Sequence, residues 1–174
     1  MTKRVFRSIF LASLAVLLAA VVLILGALYT YFSDVQAEQL RLQTALISHG
    51  LENEGLAYFD NFDTSGRRVT WIAADGTVLY DSRSDSGVME NHLEREEVKA
   101  ALATGSGTSF RYSDTLMERY IYTAQRLSDG TVLRLSAAQN TVPHLVLGVV
   151  KPIILVIGIA VALSALLAGQ LTKN

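Results

Sequence analysis

The chain has 174 residues, of which 51% are hydrophobic and 18% charged, and its mean hydropathy is +0.33. An ordinary soluble domain carries about 25% charged residues, so this composition excludes one, and the length excludes a large multidomain enzyme. There is no cysteine, which removes disulfide scaffolds, thiol catalysis and zinc–thiolate centres.

Charge is segregated along the chain. All 16 acidic residues lie between Asp34 and Asp129, whereas Ser8 to Ser33 and Pro152 to Thr172 carry no charge. The middle segment, 33–143, holds 10 Lys+Arg and 16 Asp+Glu, a net charge of −6. Such a segment has no basic stripe to follow a phosphate backbone, so nucleic acid is not expected as a partner.

Residues 9–32 form the first apolar run. At a rise of about 1.5 Å per residue it is long enough for a hydrocarbon core of about 30 Å. A cleaved signal peptide is the rival reading, but its apolar region spans only about 7–15 residues. This run is longer and ends in Tyr29, Tyr31 and Phe32, which suit a membrane interface. The second run, 145–171, contains Lys151 and Pro152 near its start. A lysine there can snorkel to the headgroups. The proline fits a first helical turn or a mild kink. Lys3, Arg4 and Arg7 place the N-terminus in the cytoplasm by the positive-inside rule. Two spans then return the C-terminus there and leave 33–143 outside the cell membrane.

Residues 34–60 read as a helix continuing the first span. Ala37, Leu40, Thr44, Ile47 and Leu51 form one stripe, and Leu42, Leu46 and His49 form its neighbour. Two stripes offer one surface to the domain itself and one to a second copy; a single wide core-facing stripe is the alternative. Asp63-Thr64-Ser65-Gly66 breaks the helix.

Strands follow. Arg68–Ala73 and Thr77–Asp81 pair through Asp75-Gly76. After the polar loop Ser82–Gly87, Glu94–Thr104 reads as a short helix that Gly105 ends. Thr108–Tyr112, Arg119–Leu127 and Thr131–Ser136 complete five strands. The predicted class is α+β: a five-stranded antiparallel sheet with a long N-terminal helix on one face, between two transmembrane helices.

Catalytic patterns are missing. Gly105-Ser106-Gly107 has no Gly-Lys-Ser/Thr after it, so it is a helix stop and not a phosphate loop. His49, His92 and His144 would have to converge from three segments to hold a metal, and no metal or other cofactor is expected.

Four segments carry a resemblance: Val69-Thr70-Trp71-Ile72-Ala73-Ala74-Asp75-Gly76-Thr77-Val78-Leu79-Tyr80-Asp81-Ser82, Met89-Glu90-Asn91-His92-Leu93-Glu94-Arg95, Ala100-Ala101-Leu102-Ala103-Thr104-Gly105, and Arg111-Tyr112-Ser113. Between two membrane helices they resemble the extracytoplasmic single Cache (PAS-like) sensor region of bacterial phosphate-regulon-type sensor histidine kinases. Glu96 departs from the proline often found after that arginine. The resemblance implies this division: 1–8 cytoplasmic, 9–32 first membrane helix, 33–65 long outer helix, 66–143 sensor core, 145–171 second membrane helix, and 172–174 the start of a HAMP-like linker. It implies a dimeric signal-input module whose kinase lies beyond this chain. It also implies a ligand pocket between the sheet and the segment joining strands two and three. There the candidates are Asp81, Asn91, His92 and Arg95, with Arg111, Tyr112, Tyr120, Tyr122 and Arg134 on facing strands. Arginine with tyrosine suits a small carboxylate or phosphate. In the alternative, Asp81 forms a structural ion pair with Arg111 or Arg134, and the tyrosines are core aromatics. Two other functions stay open: a two-pass accessory protein that binds another membrane protein, and the Cache input of a chemoreceptor or cyclic-dinucleotide enzyme.

Overall fold

The computed structural model describes residues 2–61, 66–113, 118–139 and 141–171. The expected break at Asp63-Thr64-Ser65 and the expected linker at 172–174 lie outside them. The chain forms two units, 33–140 and the pair of segments 1–32 with 141–174.

The apolar unit consists of the first part of α1 (Thr2–Glu54) and α3 (Thr141–Leu171). Both helices are long and apolar enough to cross a membrane. Val16, Val22 and Leu23 on α1 and Ile154, Leu155 and Val156 on α3 are more than half exposed, a larger apolar surface than a soluble monomer ordinarily leaves uncovered. Pro152 lies inside α3 and not at its start.

In the other unit, α1 runs without interruption to Glu54, because no proline occurs along it. A 3-10 turn at Gly55–Asn61 follows it, where a continuing helix was expected. The strands are β1 (Arg67–Ile72), β2 (Val78–Asp81), β3 (Ser106–Ser113), β4 (Glu118–Arg126) and β5 (Val132–Ala138). They form one antiparallel sheet in the order β2-β1-β5-β4-β3.

The strand alternation divides this sheet chemically. On one face, Val69, Ile121, Leu133 and Leu135 pack with Leu40, Ile47 and Leu51 of α1. Each such side chain contributes roughly 1.5–3 kcal/mol by leaving water. Thr44 crosses the same contact to Thr123 at 2.5 Å. The stripe Ala37–Leu51 is therefore the core-facing one, while Leu42 and Leu46 remain 53% and 71% exposed.

The opposite face is polar at its centre. Thr70, Tyr122 and Arg134 alternate with the residues under α1, so they point the other way. β2 and β3 lie at opposite edges, so the segment joining them has to cross this face. It carries a 3-10 turn at Ser86–Val88 and then α2 (Glu96–Thr104). α2 starts two residues later than Glu94. It ends as expected at Gly105, whose φ of 96° and N–H bond to the Ala101 carbonyl close the last turn. Ile72, Val98, Ala101, Ala124 and Val132 form a second, smaller core beneath α2.

Candidate functional site

The crossing segment is pinned at the tip of the β1–β2 hairpin. Gly76 takes φ +88°, and its carbonyl accepts a hydrogen bond from the His92 N–H at 2.8 Å. Asn91 donates to the Asp75 carbonyl at 2.8 Å and accepts from the Leu93 N–H at 2.8 Å. These bonds occupy the Asn91 amide in holding the loop, and Asn91 does not line the cavity described below. They also fix His92 over the sheet.

At the other end, α2 lies directly on β3 at Gly107. A Cβ there would collide with the Glu97 carbonyl oxygen and the Ala100 methyl, so only glycine allows this approach. The contact buries the Glu97 carboxylate completely. Its Oε2 accepts from Ser109 Oγ at 2.6 Å. Its Oε1 accepts from Arg111 Nη2 at 2.5 Å and from Arg134 Nη1 at 3.4 Å. Burial pushes this carboxyl up, but the Ser109 hydroxyl and the two guanidiniums outweigh it and hold it below the ordinary range.

A second buried carboxylate lies at the end of β2. Asp81 accepts from Arg68 Nε at 2.9 Å, from Thr70 Oγ1 at 2.8 Å and from the backbone N–H groups of Arg83 and Ser84. Here too burial raises the pKa and these donors, led by Arg68, bring it below the usual value. Thr70 links the two centres, since its hydroxyl also accepts from Arg134 Nη2 at 3.2 Å. The Tyr122 ring lies beneath both basic groups, with the Arg111 guanidinium 4.0 Å and that of Arg134 5.5 Å from its centroid.

Between this face and the crossing segment is a cavity of about 250 Å³. His92, Arg95, Arg111, Tyr122 and Arg134 line it, together with Arg68 and the Met89-Glu90 stretch. Five of the nine residues singled out in the sequence therefore meet at one cavity. Tyr120 lines an adjoining cavity of about 280 Å³ with Arg68, Arg83 and Tyr122. Asp81 stands behind Arg68. Tyr112 belongs to the opposite side of β3, one residue out of phase with Arg111, and is 53% exposed.

The cavity has an excess of positive charge. Four arginines line it, and the buried carboxylates that meet them are Asp81 and Glu97. Arg134 is 4% exposed, and burial lowers its pKa while Glu97 raises it. Among the described residues, its Nε and that of Arg111 are buried without a hydrogen-bond partner. Leaving such a donor unpaired costs roughly 1–3 kcal/mol, more for a charged group.

The pairing differs from the one expected. Asp81 pairs with Arg68, and Arg111 and Arg134 pair with Glu97. Neither Arg68 nor Glu97 was among the sequence candidates. Both were accessible by periodicity: Arg68 has the parity of Thr70 on β1, and Glu97 is four residues before the buried Ala101 on α2. Among the described residues, no group of three or more acidic, histidine or cysteine side chains is placed to hold a metal.

Neither a family profile nor a curated protein sequence matches the chain. Among solved structures, the chain is similar to the extracellular domain of rpHK1S-Z16, a protein assigned as a histidine kinase, with a TM-score of 0.38 and 15% identity. The similarity covers 49% of this chain and 36% of that one, so the chain spans about a third of the length of that structure.

Proposed function

We propose that the chain is the membrane-anchored input module of a sensor histidine kinase of the phosphate-regulon type, with a PAS/Cache-like outer domain that reads a small anion. The observation that carries this reading is the cavity lined by four arginines beneath the segment that crosses the sheet, in a domain whose chain runs at both ends into apolar helices. The five-stranded antiparallel sheet, and the segment that crosses it between β2 and β3, agree with the element order behind the resemblance.

In this reading α1 and α3 cross the cell membrane, both termini are cytoplasmic, and 33–143 lies outside. A second copy packs along the exposed Leu42 and Leu46. The ligand acts by binding more tightly to one arrangement of the helices than to another. A difference of about 1.4 kcal/mol changes the population ratio tenfold.

The test places residues 1–174 ahead of the cytoplasmic part of a histidine kinase and measures autophosphorylation in membranes. Phosphate, sulfate, acetate and succinate are added in turn. At least one should change the output, and Arg111→Gln should remove that response while Trp71 fluorescence shows a folded domain. An output that ignores every anion, and is the same in Arg111→Gln, would refute the reading.

A further inference from the structure

His92 is 5% exposed and lines the arginine cavity. Its Nδ1 lies 2.7 Å from the Glu90 carbonyl. A carbonyl only accepts, so Nδ1 carries the hydrogen. In the neutral ring, Nε2 then carries the lone pair. In the protonated ring, Nε2 is one more N–H donor.

Resting on the anion-sensor reading, we propose that the cavity takes up its anion together with a proton on His92, so that the module responds to an anion and to acidity jointly. The geometry supplies both halves. Without an anion, a cation at His92 would be surrounded by like charges: Arg134 from β5, Arg111 from β3, Arg68 from β1 and Arg95 from its own segment. The negative groups nearby are already engaged or exposed. Glu97 of α2 is held by Arg111, Arg134 and Ser109, Asp81 of β2 by Arg68, and Glu90 is at the open rim. Tyr122 of β4 offers its ring to the arginines. Burial, and then Arg134, accordingly lower the His92 pKa. An anion reverses this balance: it adds the missing negative charge, and it accepts from Nε2 only when that nitrogen is protonated. Proton and anion therefore favour each other's binding reciprocally.

The experiment titrates sulfate, a dianion throughout the range, into the full chain in lipid nanodiscs at pH 5.5, 6.5 and 7.5 by calorimetry. Each titration is run in two buffers of different ionisation enthalpy. Affinity should weaken by up to about tenfold per pH unit on the alkaline side, the limit for one linked proton. The two buffers should report uptake approaching one proton at pH 7.5. Arg111→Gln should abolish the binding, and His92→Gln should bind with no pH dependence. Binding that requires Arg111 but is flat with pH, with no proton uptake, would overturn the proton coupling and leave the anion site standing. No Arg111-dependent binding of sulfate, phosphate or succinate at any pH would overturn the anion site and this inference with it. If His92→Gln does not fold, the proton count on the unmodified chain decides.

Discussion

Arg111 and Arg134 share one carboxylate oxygen: Oε1 of Glu97 is 2.5 Å from the first and 3.4 Å from the second. The two guanidiniums are brought together by strand register and the carboxylate by a helix that packs on Gly107. Removing that carboxylate leaves two like charges side by side beneath α2.

Glu97→Gln should therefore destabilise the outer domain by about 3–5 kcal/mol, the usual cost of breaking a buried pair on one side. Trp71 is the only tryptophan, so its fluorescence follows unfolding of this domain alone during a denaturant titration. As a control, Glu94→Gln removes the pair with Lys99, whose partners are 81% and 54% exposed, and should leave the midpoint unchanged. A Glu97→Gln variant as stable as the parent would show that the buried carboxylate is not structural.

Gly107→Ala should cost about 1–3 kcal/mol by forcing α2 off the sheet. The backbone of Glu97 is the atom in the way, so the carboxylate should move too. Sulfate affinity should fall in parallel with stability. Normal stability with a normal melting profile would contradict the close approach of α2 to β3.

Stability of the sulfate-free chain should decline as the pH drops below about 6.5, the ordinary histidine value. The sign follows from His92: burial, then Arg134, lower its folded pKa, so the unfolded chain binds more protons in this window. The contribution is complete above the unfolded pKa and is lost as the pH falls through the folded one. Asp81 and Glu97, also lowered, act the same way at more acidic pH, below the ordinary carboxylate values. Thermal melts from pH 7.5 to 5.5 should slope for the parent and be flat for His92→Gln; equal slopes would assign the effect elsewhere.

Cysteines at Leu42 and Leu46 should cross-link between copies in membranes, whereas cysteine at Ile47, 3% exposed and under the sheet, should not. Efficient cross-linking at Ile47 with none at Leu46 would place the second copy on another face. For topology, an impermeant thiol reagent applied from outside intact cells should label Asp75→Cys and not Lys3→Cys.

The strands and their order along the chain were legible because they are short β-branched and aromatic runs, with Asp75-Gly76 closing β1 and Asp129-Gly130 closing β4, and α1 because nothing breaks its apolar period. The position of His92, Arg95, Arg111, Tyr122 and Arg134 around one cavity was legible only through the resemblance, since no local pattern records that β2 and β3 occupy opposite edges. The partners were misassigned for a related reason. Pairing across a sheet depends on register, and register put Asp81 opposite Thr70 and within reach of Arg68, while Arg134 was left to α2. Glu97 went unnoticed because glutamate on a short helix is ordinarily solvated, and only the missing Cβ of Gly107 brings the helix low enough to bury it.

One contact at the edge of the outer domain bears on how that domain can be handled. Gln139, just past β5, donates from Nε2 to the Ser33 hydroxyl on α1, and its N–H donates to the Arg119 carbonyl at 2.7 Å. The polypeptide thus enters the domain and leaves it at two points joined by a side-chain bond. A domain whose ends adjoin is portable: residues 33–140 can be excised and closed into a ring by a short peptide, or spliced into a surface loop of an unrelated soluble carrier, without stretching the sheet. Such a graft would bring the arginine cavity into aqueous solution, free of lipid.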